Sequence, residues 1–288
     1  MTDAGLDHVG IAVRDLDLGA DAYERLGFAL TPFGRHTGAL APGGPSVPLG
    51  TGNRCAMLRE GYLEIIAVVD PALPARGIDS FVAGREGAYI LALECDDAPA
   101  TSERLAAAGF GARGIQPLER PVETPVGTRT ARFERVPVPD GEMPEGRVFF
   151  IRHLTRDTVW QPRHLDHPNG ARALTEVILH VTDCDEAAAR YARFLGATPR
   201  REAGAHVLAL PRGRCVLSGA AGLAALLPDM PVAPAPAIAG CTIEVGELDK
   251  TRALLAENAI TTAERGGRIL VPPRHAGGAC CIFAAGAD

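Results

Sequence analysis

Long apolar runs are missing from this chain. No stretch approaches the roughly 18 to 20 consecutive apolar residues that a membrane-spanning helix needs, and no membrane partner is expected. The opening MTDAGLDHVG has neither the basic start nor the apolar middle of a secretory signal, so a cytoplasmic location is the default expectation. An excess of positive charge is absent too. With 29 Lys and Arg against 35 Asp and Glu the formal net charge is -6, which argues against nucleic acid as a partner. There is no GxSxG elbow, no P-loop, and no GxGxxG leading from a strand into a helix. Paired CxxC motifs are lacking. The 7 cysteines (Cys55, Cys95, Cys184, Cys215, Cys241, Cys280, Cys281) are scattered and odd in number, and read as small buried hydrophobes with reduced thiols. Cys280 and Cys281 are adjacent in a strand-like stretch and are expected to face opposite ways.

What is present is a globular composition with an internal repeat. Apolar residues make up 47% and charged residues 22% of 288, enough for two ordinary domains with real cores. The pattern LDHVGIAVRDLDLGADAYERLGF returns as YILALECDDAPATSERLAAAGF, as LTEVILHVTDCDEAAARYARFLGA and as GCTIEVGELDKTRALLAENAI. Each copy is an apolar strand, an acidic or polar turn suited to capping a helix, and an Ala, Leu and Arg-rich helix. Three helices stop at glycine (Gly27, Gly109, Gly196) and the fourth at Asn258, residues that tolerate the left-handed C-terminal conformation. Strand-like segments follow each helix: ALTPFGRH, NRCAMLRE and YLEIIAVV after the first, IQPLERPV, RTARFERVPV and RVFFIRHLT after the second. The third is followed by TPRREAG, AHVLALP and RCVLSGA, the fourth by TTAERG, GRILVPP and ACCIFAA. The unit is strand, helix, strand, strand, strand, four times over. The polar stretch Gln161 to Ala173 marks a boundary between two halves, residues 1–160 and 161–288, and the Pro-rich LPDMPVAPAPAIAG separates the last two units.

Within the first unit, alternation puts Val9, Ile11 and Val13 on one face and His8, Gly10 and Ala12 on the other. The small residues leave room beside the imidazole. Glu64 shares a face with Tyr62 and Ile66 in an apolar strand, where a carboxylate is costly unless paired, hydrogen-bonded or bound to a cation. The plain alternatives are a core histidine and a buried Glu–Arg pair. His36 in GRHTG is either a turn residue or an acid or base at a cavity mouth. His164 and His167 sit among turn formers, which favours a linker role. Arg129, Arg132 and Arg135 alternate along TRTARFERV; they form either a solvated face or, through Arg129 or Arg132, a fork for a carboxylate or phosphate.

A βαβββ unit in paired copies, with GRH at Gly34 to His36, GTGN at Gly50 to Asn53 and GYLEIIAV at Gly61 to Val68, resembles the vicinal oxygen chelate superfamily, and its glyoxalase-like branch in particular. FFIRHLT followed by HPNGA adds to the likeness. The resemblance implies an α+β fold of four βαβββ modules forming two open curled barrels, the first bearing the site and the second a degenerate copy. It implies a divalent ion, Zn, Fe(II), Mn, Co or Ni, held by His8 and Glu64, with His153 as third ligand if it and not Arg152 faces inward. The second unit offers only Tyr89 or Ile90 where the family has a ligand on its first strand; in the third, Glu176 takes the His8 position. Glu64 and His36 are the expected proton carriers, and Asn53, Tyr62, Arg129, Arg132 and Arg152 the expected substrate contacts. The implied function is a metal-dependent lyase, isomerase or dioxygenase acting on a small oxygenated substrate; the rival is a non-catalytic small-molecule binder of the resistance type. Whether paired units meet within one chain or between two copies of a homodimer is left open.

Overall fold

The computed structural model of the chain describes residues 5–40, 44–112 and 114–286; of the N-terminal stretch read above, residues 1–4 lie outside them. The first module is β1 (Gly5–Ala12), α1 (Leu16–Arg25), β2 (Gly34–Ala39), β3 (Ser46–Met57) and β4 (Tyr62–Val68). After a short α2 (Ile78–Gly84) comes the second: β5 (Gly87–Glu94), α3 (Ala98–Ala107), β6 (Gln116–Thr124), β7 (Gly127–Pro137) and β8 (Arg147–His153). One turn of helix, α4 (Arg156–Val159), leads to the third: β9 (Ala171–His180), α5 (Cys184–Leu195), β10 (Arg200–Glu202), β11 (Ala205–Ala209) and β12 (Arg214–Ser218). A helix α6 (Ala220–Leu226) precedes the fourth: β13 (Ala237–Val245), α7 (Leu248–Glu257), β14 (Ala263–Arg265), β15 (Arg268–Val271) and β16 (Cys280–Ala285).

The strands form two eight-stranded mixed sheets of the same order, β2-β3-β4-β1-β5-β8-β7-β6 and β10-β11-β12-β9-β13-β16-β15-β14. In each, the first strands of two modules pair antiparallel at the centre, and each also runs parallel to the last strand of its own module. Modules therefore pair within the chain, first with second and third with fourth. The first sheet curls until its edges meet, where Thr37 Oγ1 on β2 donates to Glu119 O on β6.

Local chemistry sets the helix ends. Asp15, Asp97 and Asp183 each accept from first-turn amides of α1, α3 and α5, while Glu247 makes no such bond to α7. Gly27, Gly109 and Gly196 adopt positive φ as expected. At the fourth helix the left-handed residue is Ala259, φ 55°, not Asn258. Asn258 instead exchanges hydrogen bonds with the backbone and side chain of Arg25.

One large core lies between the two sheets and joins them: Val9, Ile11, Leu63, Ile65 and Leu91 from the first half meet Val177, Leu179, Leu217, Ile243 and Phe283 from the second. The opposite faces enclose separate clusters, one within each curl. Cys281 belongs to the shared core and Cys280 to the second-half cluster. The polar stretch between the halves is an anchor. His167 Nδ1 accepts from the Ala29 amide at 3.0 Å and Nε2 donates to Met57 O at 2.7 Å, while Asn169 bonds Leu26 O and the Ala171 amide.

Candidate functional site

The curl of the first sheet encloses a pocket with about 810 Å³ of atom-free space, part of it open to solvent, lined by residues of both modules. His8, His36, Asn53, Tyr62 and Glu64 all line it. The small neighbours of His8 serve another purpose than the one their size suggests. Gly10 lies opposite Ile90, and a Cβ there would come within 2.7 Å of the Ile90 side chain. The space is taken by the partner strand.

Pairing of β1 with β5 skips a residue, Leu6 facing Leu93 and His8 facing Ala92, so Asp7 sits in a β-bulge. In a regular strand Asp7 and His8 would point to opposite sides; a bulge re-aims a side chain. Here both are buried, and Asp7 Oδ1 lies 2.6 Å from His8 Nδ1 while Oδ2 lies 2.8 Å from His153 Nε2. Burial pushes the Asp7 carboxyl up, but the paired His153 and His8 imidazoles outweigh it and hold the group below the ordinary carboxylate range. A carboxylate accepts only, so both imidazoles donate to it. In the neutral imidazole this leaves the lone pair on His8 Nε2, which faces Glu64 Oε2 across 3.8 Å. The ring is held flat against Tyr62, centroids 4.4 Å apart.

Glu64 is fixed from its other oxygen. Oε1 accepts from Asn53 Nδ2 at 2.6 Å, and His36 Nε2 stands 3.5 Å from the same atom. His36 Nδ1 lies 2.9 Å from Thr51 Oγ1. Burial pushes the His36 pKa down to about 4; Glu64 opposes this, and Arg120 and Arg76 add to it. The imidazole is neutral at neutral pH. Asn53 Oδ1 is buried without a hydrogen-bond partner.

The fit to a divalent ion is partial. Two ligands at about 2.1 Å from one ion lie within about 4.2 Å of each other, a limit that His8 Nε2 and Glu64 Oε2 meet at 3.8 Å. Asp7 behind His8 and Asn53 behind Glu64 supply the outer partners that metal-ligating groups ordinarily have. Among the described residues, however, no three His, Cys, Asp or Glu side chains form a group able to hold an ion.

His153 is not brought to Glu64. Its Nε2 is spent on Asp7, its Nδ1 is buried without a partner, and its ring packs edge-on to Phe133 and Trp160. The register explains this. Val13 N bonds Ile66 O in the first module as Cys95 N bonds Ile151 O in the second. Counting back from those bonds, Ile90 occupies the position of His8 and Phe149 that of Glu64. Both line the pocket, so the second module presents apolar groups where the first presents ligands. Arg152 and His153 fall further along β8; Arg152 pairs with Glu134 at 3.3 Å outside the pocket.

Arg129 and Arg132 also lie outside the pocket, Arg129 paired with Asp157 at 2.9 Å and Arg132 3.8 Å from Glu119, both about half exposed. The arginines that line it are Arg76, Arg120, Arg135 and Arg147. Parity puts Arg129 and Arg135 on one face of β7 with Ala131 and Phe133, and burial, which parity does not give, makes Arg135 the inward one. Asp7 has no signal in the sequence, since nothing in LDHVG marks the bulge.

Among the described residues the second half shows no matching pair of ligands. Glu176 stands at the His8 position, as alignment on Val181 indicates, but it is tied by Arg214 at 2.6 Å, Arg268 at 2.9 Å and Thr242 Oγ1 at 2.8 Å. Burial pushes its carboxyl up; Arg268, Arg214 and Thr242 outweigh that and hold it below its usual range. Ile178, Val216, Leu270 and Ile282 fill the space in front, and His180 Nδ1 bonds Ala233 O.

Solved structures share this architecture at low identity. A hypothetical protein from Staphylococcus aureus aligns with a TM-score of 0.63 and 12% identity, covering 98% of this chain and 99% of that one. A triple mutant of 4-hydroxymandelate synthase from Streptomyces coelicolor aligns at 0.58 and 13%, covering 100% and 95%. A xylose isomerase-like TIM barrel/4-hydroxyphenylpyruvate dioxygenase fusion protein aligns at 0.55 and 15%, covering 92% of this chain and 40% of that one. These likenesses speak to the fold, which is of the vicinal oxygen chelate type. No curated protein matches the chain. The family match spans residues 6–195, both modules of the first sheet and the opening strand and helix of the third module. On that match, with the paired βαβββ modules behind it, the chain belongs to the glyoxalase-like domain family.

Proposed function

We propose that the chain is a metal-dependent enzyme of vicinal oxygen chelate type, acting on a small oxygenated substrate in the first-half pocket. The observation that carries this is the facing of His8 Nε2 and Glu64 Oε2 at 3.8 Å, each held from behind by a carboxylate or an amide. His8 and Glu64 are the residues that would hold a divalent ion. When bound there, such an ion supplies Lewis-acid stabilisation for an oxyanion developing on the substrate. The chain's own residues do the rest. Asp7 fixes the His8 tautomer, and Asn53 turns Glu64 so that one oxygen is free. Neutral His36, bonded to Thr51 through Nδ1, stands with Nε2 beside the other oxygen, placed to pass a proton between a substrate hydroxyl and Glu64. The unpartnered Asn53 Oδ1 accepts from a substrate hydroxyl. Phe133 and Phe149 exclude water from the wall opposite, and Tyr62 covers the face of His8.

One observation favours a second reading, a small-molecule binder without catalysis: Ile90 and Phe149 replace ligands in the second module and make that wall apolar. Metal analysis of protein purified without chelator, then reconstituted with Fe(II), Mn, Zn, Co or Ni, separates the two. The enzyme reading expects about one ion per chain, lost in both His8→Ala and Glu64→Gln. An ion-free protein after reconstitution, or retention in both variants, overturns it.

A further inference from the structure

Four arginines reach the pocket from four segments: Arg76 between β4 and α2, Arg120 on β6, Arg135 on β7 and Arg147 on β8. None of them forms an ion pair with a carboxylate among the described residues. Elsewhere in this chain guanidinium groups in structural positions do receive carboxylates. Arg190 lies 2.8 Å from Glu145 and 2.9 Å from Glu186, and Arg214 and Arg268 share Glu176.

In the pocket the acceptor is neutral instead. Arg76 Nη2 donates to Gln116 Oε1 at 3.2 Å, and Arg135 Nη2 donates to the same oxygen. Arg135 is 7% exposed, its Nε is buried without a partner, and its guanidinium sits 5.1 Å over the Phe149 ring. Arg76 has φ 56°, a conformation rare for a residue with a side chain and found where surrounding structure enforces it. Burial pushes the Arg76 pKa down to about 10, with Arg147 adding to the fall against a weaker pull from Asp140. The pocket carboxylates are engaged otherwise, Glu64 with Asn53 and the histidines, and Glu119 near Arg132. Buried charge without a counter-ion is costly, and two guanidinium groups meeting on one amide oxygen is an arrangement that an incoming anion completes.

We propose that Arg76 and Arg135, bridged by Gln116 and flanked by Arg147, form the subsite for an oxyanion borne by the substrate, a carboxylate or phosphate monoester carried on an apolar body. Leu118, Phe133 and Phe149 would cover that body. The inference rests on reading the pocket as the substrate site, and adds the chemical class: a small organic acid.

The test is binding of benzoate, phenyl phosphate and neutral benzamide by calorimetry at fixed ionic strength. Gln116→Glu builds a carboxylate into the arginine pair, and Arg76→Gln removes one fork. The expected results are binding of at least one anion well above benzamide, and a loss of roughly tenfold to a hundredfold in both variants, the scale of a charge-assisted hydrogen bond or two. Gln116→Glu is expected also to raise the melting temperature, which shows that it folds. The preferred anion tells carboxylate from phosphate. Benzamide binding as tightly as both anions, or either variant binding like the parent, overturns the subsite. So does loss of anion binding in His8→Ala or in chelator-treated protein, because the ion would then be holding the anion. Anion binding retained in a chain that takes up no metal would leave the subsite standing and overturn the metal-dependent reading alone.

Discussion

Replacing Asp7 by Asn tests the bulge and the imidazole geometry together. Asp7 is fully buried and accepts two short hydrogen bonds, 2.6 Å from His8 and 2.8 Å from His153. Asparagine keeps the shape but offers one acceptor oxygen and places an NH2 against one ring nitrogen. That ring must change tautomer or leave an N–H unpaired. With a charge-assisted bond contributing about 1.5–3 kcal/mol, and an unpaired buried donor costing about 1–3 kcal/mol, the substitution costs on the order of 2–4 kcal/mol. For a chain of this size that is a fall of roughly 3–7 °C in melting temperature, read by thermal denaturation and checked in urea. The second readout is the ion. His8 is held as the Nδ1–H tautomer only by the Asp7 carboxylate, and loss of such an outer partner typically weakens metal binding about 10–100-fold. Asp7→Asn melting with the parent and binding the reconstituted ion as tightly would refute both the energetic reasoning and the tautomer assignment.

Ala259 holds a left-handed conformation, is exposed, and follows α7; Ala259→Gly is expected to stabilise the chain by about 0.5–1 kcal/mol, and a lowered melting temperature would count against the strain. Glu176 is held below its usual range, so its contribution is present above the pKa of an unfolded glutamate and is lost as pH falls through the lower folded value. Stability measured from pH 6 downward should therefore decline less steeply in Glu176→Gln than in the parent. Parallel acid curves for the two would remove Glu176 from the account.

The repeat was legible because several independent signals coincide in each copy. An apolar strand, an aspartate cap and a helix ending at glycine recur at nearly the same spacing in the first three copies, where Asp15, Asp97 and Asp183 do cap as their positions suggest, and the fourth keeps the strand and helix alone. Boundaries were harder. ALTPFGRH reads as a strand, but β2 spans Gly34–Ala39, and Gly50 to Asn53 lie inside β3 and not at its start. Neither α2 nor α4 was foreseen, both being too short to show a period. His8, Glu64, Asn53, Tyr62 and His36, which strand parity and motif single out, all line the pocket. Asp7 is not singled out, because a bulge changes parity without changing composition. Arg152 and His153 are misplaced by distance along β8: Phe149, four residues before His153 and of the same parity, holds the position equivalent to that of Glu64. Gly10 shows the converse difficulty, since an absent side chain reveals that something fits there but not that the something is Ile90.

The interior shared by the two sheets assigns the second half a task even where its own hollow is filled. Leu6 N bonds Arg212 O, Arg59 N bonds Arg172 O, and Tyr23 reaches Ala276 O, so the strand bearing His8 is braced from the rear by modules without matching ligands. A half whose own interior is packed with Ile178, Val216, Leu270 and Ile282 thus still serves the first as a buttress, its back constrained by the wall it supports.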